Sequence, residues 1–316
     1  MKGEVDMGFS RHDKMVGIRG VYEGPKGSER RITDAPYCDG TRYHMDVNVG
    51  NDSYDGLSWA KPFKTFARAT IVNDANIARG AAGYASRNQL LVRADNSEAS
   101  KETIVDLPNK CDVIGVGSYD GNAFPIFFGA HLLAGSSMGC RFYNVGFRSL
   151  DAGGAVFTHI NGNNNLAFYG CYFLGHGTTP ATYGLVLAAD DHQIIKGCHF
   201  IGAFSTAAIR LGTGAHQDLI IEDNIINSGA IGISVHASLS CTTYRNPLIK
   251  RNSIYCKTLT VDDDSSKCKL EGNRMVTTAA HTLSLILDYQ DTLAMDNIIT
   301  DATVTAIYPV LGSCAS

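Results

Sequence analysis

Three groups of side chains have the types and spacing for chemistry. Asp190 and Asp191 stand side by side in ADDH (189–192), behind a GHG triplet at 175–177. Two carboxylates that flank a glycosidic bond can serve as its proton donor and acceptor. Arg210, taken with Asp262 and Asp263, supplies what a β-elimination on a uronate needs, a base for the α-proton and a cation beside the carboxylate. The run VDDDSSK at 261–267 is acidic, but it lacks the regularly spaced further oxygens of a calcium loop, and no CxxC or Cys/His cluster offers zinc a site. Neither metal nor cofactor is expected. Asp190, Asp191, Arg210 and Asp262 are the catalytic candidates.

What must position these residues is a repeat. FYNVGF (142–147), FYGCYF (168–173), IKGCHF (195–200), IEDNII (221–226), IKRNSI (249–254), LEGNRM (270–275) and AMDNII (294–299) superimpose, with a period of roughly 25 residues. Between them lie GAVFTHI, YGLVLAA, AAIRLG, IGISVHA, TLTVDD, LSLILD and TAIYPV, short alternating runs bounded by Gly, Ser, Asn or Asp. Such runs read as strands between tight turns. Two or three strands per period cannot bury a face alone, but stacked coils can. The expected fold is all-β: a right-handed, single-stranded parallel β-helix.

Alternation along the strands then sorts the side chains. If Ile209, Leu211, Ile231, Ile233, Val235, Val261, Leu285 and Leu287 face the core, then Arg210, His236, Asp262 and Asp288 face solvent, with His159 joined to them. Coils roughly 5 Å apart would line these five up as a glycan-binding groove. The fourth residues of the repeat, Cys171, Cys198, Asn224, Asn252, Asn273 and Asn297, form a different column. Asparagine at a bend can bond both the backbone of its own turn and the amide above it, so this column is expected to be a buried structural ladder. The anchor aromatics Phe142, Tyr143, Phe147, Phe168, Tyr169, Tyr172, Phe173 and Phe200 are expected to stack as core.

Residues 1–42 are polar, carry both signs of charge and have too few apolar residues for a core, so they form an N-terminal arm. Residues 43–87 hold a strand, a turn and a helical pattern with Phe63, Phe66, Ala67, Thr70 and Ile71 on one side, a capping strand and helix for the open end of the solenoid. Residues 88–316 supply about eight or nine coils.

Hydrophobic residues at 44% furnish a large core, while charged residues at 18% and 33 glycines favour turns over long surface helices. A net charge of −4 and pI of 6.2 give no reason to expect nucleic acid as a partner, and no run is long enough for membrane insertion. Nine widely spaced cysteines read as free thiols. No apolar signal-type stretch opens the chain, which points to assembly in a cytoplasm.

The stretch Gly50–Ala69, GNDSYDGLSWAKPFKTFARA, resembles the opening of pectate-lyase-like right-handed β-helix proteins, and the rungs from Ala167 to Thr300 resemble their repeat. That superfamily spans polysaccharide lyases, glycoside hydrolases, epimerases and bacteriophage tailspikes. Its pectin-hydrolysing members place the Asp pair before the GHG; here the order is reversed, and the third aspartate and the downstream Arg-x-Lys are missing. The resemblance, with the arm and the missing signal, implies a virion structural protein: a capsid decoration, head fibre or tailspike assembled in the host cytoplasm. Residues 1–42 would dock on other virion proteins, a surface polysaccharide would be the ligand, and copies would associate as a homotrimer. The alternative it implies is a polysaccharide lyase or glycoside hydrolase.

Overall fold

The computed structural model describes residues 21–23, 30–33 and 40–309, apart from 82, 85, 94–101, 118–123, 134–136, 150–152, 161–164, 176–179, 189, 237–238, 241–246, 258, 264–267, 278–284, 288–292 and 302–303. Three long sheets run along the molecule, of ten, nine and seven strands, and successive coils visit them in that order. Ile220–Glu222, Ile225–Ser228 and Ile231–Val235 make one such coil. Each pairs in parallel with its counterparts above and below, Ile221 opposite Ile195 and Ile249, and Ile226 opposite Phe200 and Ile254. The chain is a parallel β-helix.

Parallel pairing puts like residues on like, and the core is made of the resulting columns. Phe142 stacks on Phe168 at 5.5 Å, and Phe147, Phe173 and Phe200 continue a second stack at 5.3 and 4.6 Å. All five rings are buried, and Ile226, Ile254 and Met275 extend the second column. Burying each phenylalanine stabilises by roughly 2–3 kcal/mol, and each ring pair adds about 1 kcal/mol.

The sharp bend between the ten- and nine-stranded sheets is encoded locally. Asn144, Gly170, Gly197, Asp223, Arg251, Gly272 and Asp296 all sit there at φ between 52° and 63°. Gly, Asn and Asp are the residues that tolerate this left-handed region. The next residue in each coil points into the bend and is buried. Asn224 Nδ2 donates to Ile195 O at 3.0 Å and to Asn252 Oδ1 at 2.9 Å, while Cys198 N donates to Asn224 Oδ1 at 2.8 Å. Asn252, Asn273 and Asn297 continue the pattern, bonding Ile221 O, Ile249 O and Leu270 O. In the two coils before Asn224, the buried thiols of Cys171 and Cys198 fill the column, Cys198 Sγ lying 3.4 Å from Phe168 O.

The helix Phe66–Ile77, which follows the first strand of the ten-stranded sheet, turns Phe66 and Ala69 onto the core. Thr65 caps it by accepting from Arg68 N at 3.1 Å, and Asp52 holds Thr65 in turn. The Glu102 carboxylate receives Phe66 N and Ala67 N at 2.7 and 2.9 Å, an anion at the positive end of the helix.

Two expectations are corrected. TAIYPV is not a further parallel coil: Val304–Pro309 folds back antiparallel on Ile298–Asp301. The tyrosines of the repeat are not core. Tyr143 and Tyr169 stack on each other at 4.9 Å on the outer side of the ten-stranded sheet, and Tyr172 stacks on His199 outside the nine-stranded one. Their neighbours Phe142, Phe168 and Phe173 take the inward places, as strand alternation requires.

Candidate functional site

The seven-stranded sheet carries most of the candidates. Its outward row reads Thr158, Val186, Arg210 and Ser234 in successive coils, and Asp262 and Ile286 follow in the same register. Arg210 and Asp262 thus share a row but stand two coils apart, about 10 Å by strand spacing. Asp263 takes the place that Val235 and Leu287 hold in adjacent coils. Arg210 is half-buried, donates to the Tyr183 hydroxyl, and has its Cζ 5.2 Å from the Tyr183 ring centroid. His236, half-buried just past the strand Ile231–Val235, bonds Leu211 O through its backbone nitrogen at 3.0 Å. Asp288, His176 and Gly177 lie outside the described residues.

His159 is not on the outward row. Its backbone bonds to Val186 O and from Ala188 N set it opposite Leu187, in the column of Leu211 and Val235, and its side chain is buried. The alternation Phe157 in, Thr158 out, His159 in is the physical reason. Its Nε2 lies 3.0 Å from Asp190 Oδ2, off the line of an aligned hydrogen bond. Asp190 is therefore half of an internal pair, while Asp191, half-buried, accepts Asn165 N on its carbonyl at 3.1 Å.

The pair continues inward. Gln193 joins His159 Nδ1 at 3.2 Å to His216 Nδ1 at 3.4 Å, and His216 Nε2 meets Gly212 O at 3.2 Å. The chain runs from a carboxylate acceptor to a carbonyl acceptor, so its four contacts need four protons. Two neutral imidazoles and one face of the Gln193 amide bring three. Because Gln193 Nε2 donates to His159 Nδ1, the His159 proton sits on Nε2 toward Asp190, and the contact short of a proton is one of the two that His216 makes, to Gln193 Oε1 or to Gly212 O. Burial pushes His216 down to about 4, so its imidazole stays neutral.

A second charged array lies outside the ten-stranded sheet, where Lys196, Glu222, Lys250 and Glu271 follow one another in register. Glu222, largely buried, draws Lys196 and Lys250 to 3.4 Å each and also meets Arg251.

A family model described as "Right handed beta helix region" matches residues 129–275 and, in an overlapping placement, 183–313, together more than half of the chain. The chain belongs to this family. Two solved structures are similar to this right-handed β-helix protein. One is described as a rhamnogalacturonan lyase, with TM-score 0.47 and 11% identity, covering 82% of this chain and 87% of that one. The other is the pectin methylesterase from Aspergillus niger in deglycosylated form, with TM-score 0.46 and 12% identity, covering 87% and 89%. No curated protein matches the chain.

Sequence reading missed Gln193, His216 and Tyr183 as partners in this right-handed β-helix. His216 and Gln193 reach His159 from turns of other coils, and their only signal was polar residues beside predicted strands. Among the described residues, no cluster of three or more His, Cys, Asp or Glu could hold a metal, and no helix is long and apolar enough to cross a membrane.

Proposed function

We propose that this β-helix is a structural protein of a bacteriophage particle, a capsid decoration, head fibre or tailspike, acting as a rigid rod that holds surface glycans without cutting them. One observation carries the non-catalytic part. The candidate acid and the candidate cation are each engaged with a neighbour in the fold, Asp190 on buried His159 and Arg210 on Tyr183. Outside the ten-stranded sheet, meanwhile, Lys196, Glu222, Lys250 and Glu271 stand in register from coil to coil, an array suited to extended contact. Adhesion by many weak contacts along a stiff rod gains strength through effective concentration. The exposed Ile201 and Ile225 outside the nine-stranded sheet support side-by-side association of copies, for which a trimer is the proposed form.

The test is twofold. Particles probed with antibody to the purified chain should be decorated, and a panel of neutral and uronate glycans should yield retention without cleavage products. Cleavage abolished by Asp190→Ala, Asp191→Ala or Arg210→Ala would establish the lyase or hydrolase reading instead.

A further inference from the structure

Four of the described cysteines stand as two pairs in adjacent coils, one pair at each bend that flanks the ten-stranded sheet. Cys111 and Cys140 lie just before the partners Asp112 and Arg141, and Cys171 and Cys198 lie between the partners Tyr169 and Lys196 on one side and Tyr172 and His199 on the other. Each follows a residue in the left-handed region, Lys110, Gly139, Gly170 and Gly197 at φ 44°, 73°, 59° and 63°. All four side chains are buried.

The second pair has the geometry of a bond not yet made. Strand pairing on both sides, with His199 N donating to Cys171 O at 2.8 Å, holds the two α-carbons at strand spacing, about 4.8 Å. Disulfide-linked α-carbons lie roughly 4.4–6.8 Å apart, so the backbone is already within reach. The side chains also meet, because the Cys198 thiol is hydrogen-bonded with that of Cys171. Cys198 Sγ lies 3.4 Å from Phe168 O and 3.5 Å from Lys196 O, and Cys171 Sγ 3.6 Å from Tyr169 O. The pair sits where the amide ladder ends. From Asn224 to Asn297 each amide bonds the next, and the last link toward the N-terminus runs from Cys198 N to Asn224 Oδ1. Beyond it the column passes to thiols, which are weak donors, so the tie between coils slackens there.

We propose that Cys171 and Cys198 are an oxidisable lock, which hydrogen peroxide converts to a disulfide between adjacent coils, a covalent continuation of the amide ladder. The oxidant is small and uncharged, as a buried column requires. The thiolate of one cysteine attacks the O–O bond, giving a sulfenic acid and a hydroxide that leaves as water with the thiol's proton. The sulfur of the second cysteine then displaces water from the sulfenic acid. Two thiols lose two electrons and two protons, and one peroxide becomes two waters. Burial pushes the Cys198 thiol up and keeps it protonated, so the step is slow and the pair stays open where thiols are held reduced. The lock is independent of the protein's wider role.

The full folded chain, treated with hydrogen peroxide, quenched, unfolded, alkylated and cut with trypsin, tests this. Cleavage after Lys196 separates the two cysteines, so the lock appears as peptide 149–196 joined to 197–210 and lost on reduction. That linked pair should be the main oxidation product at Cys171 and Cys198, and the urea midpoint of the oxidised chain should rise above that of the reduced one. Cys198→Ser should abolish both the link and the rise. Sulfinic acid at either position, a link of either to a third cysteine, or thiols of the parent that still alkylate after peroxide overturn the lock. A linked peptide with an unchanged midpoint overturns its role as a continuation of the ladder. The comparison of oxidised with reduced parent stands even where the serine variant fails to fold.

Discussion

Arg251 and Asp223 occupy the same left-handed bend in adjacent coils, at φ 52° and 56°, and the guanidinium of one closes on the carboxylate of the other with Nε to Oδ1 at 2.9 Å. The backbone there costs an ordinary residue about 1–2 kcal/mol, while a pair this exposed returns less than about 1 kcal/mol. Arg251→Gly should therefore leave stability within about 1 kcal/mol of the parent or raise it. Arg251→Val, β-branched in the same bend, should lose roughly 2 kcal/mol. Urea midpoints of the two variants check the order, and a Gly variant less stable than the Val variant would refute it.

Removing one ladder amide strands its neighbours. Asn252→Ala leaves Ile221 O, Asn224 N and Asn273 Oδ1 each short of a bond, at a cost of roughly 3 kcal/mol or more. Asn252→Asp should be worse at neutral pH, because a carboxylate cannot donate to Ile221 O or Asn273 Oδ1. Asn252→Cys should be the mildest, as cysteine already fills the column at Cys198. Denaturation curves at pH 7 rank the three.

Acid should weaken the fold through two histidines. Burial holds both His131 and His216 down at about 4. His131 is further committed, with Nδ1 accepting Ile104 N at 3.0 Å and Nε2 facing Phe127 O at 3.1 Å. Their folded values lie below the ordinary histidine range, so stability is complete above about pH 6.5 and falls as pH drops toward 4, where the unfolded chain binds protons that the folded one refuses. The loss is about 3 kcal/mol per histidine at most. Stability at pH 7.5 and pH 4.5 measures it, and His216→Gln should flatten part of the slope.

Two glycines separate strain from contact. Gly56, at φ +69°, would set a Cβ 2.2 Å from the Phe63 ring, whereas Gly80, at φ +89°, would meet nothing within 4 Å. Gly56→Ala should cost more than about 3 kcal/mol through overpacking added to backbone strain, and Gly80→Ala only about 1 kcal/mol. Equal thermal shifts would show that Phe63 gives way freely.

The coil was legible in the sequence because parallel stacking repeats a residue's environment each turn, so the same type recurs at the same place. Phe142 and Phe168, or Asn252 and Asn273, announce their register by spacing alone. Direction was not legible: an alternating run such as TAIYPV looks the same whether its strand is parallel or reversed. Nor was the environment outside a sheet, since Tyr143 is buried on the side that alternation assigns to solvent. The His159 contact was half legible. Its inward place follows from Phe157, but Asp190, Gln193 and His216 converge on it from turns whose lengths vary from coil to coil.

The reversed strand Val304–Pro309 carries a consequence for assembly. A stack of parallel coils can be continued by any strand of the same polarity, and an uncapped end is an invitation for one molecule to prolong another. An antiparallel strand offers a hydrogen-bond spacing that the next parallel coil does not match. Along this sheet the edge of Ile298–Asp301 is thereby closed to a strand of the coil's own polarity.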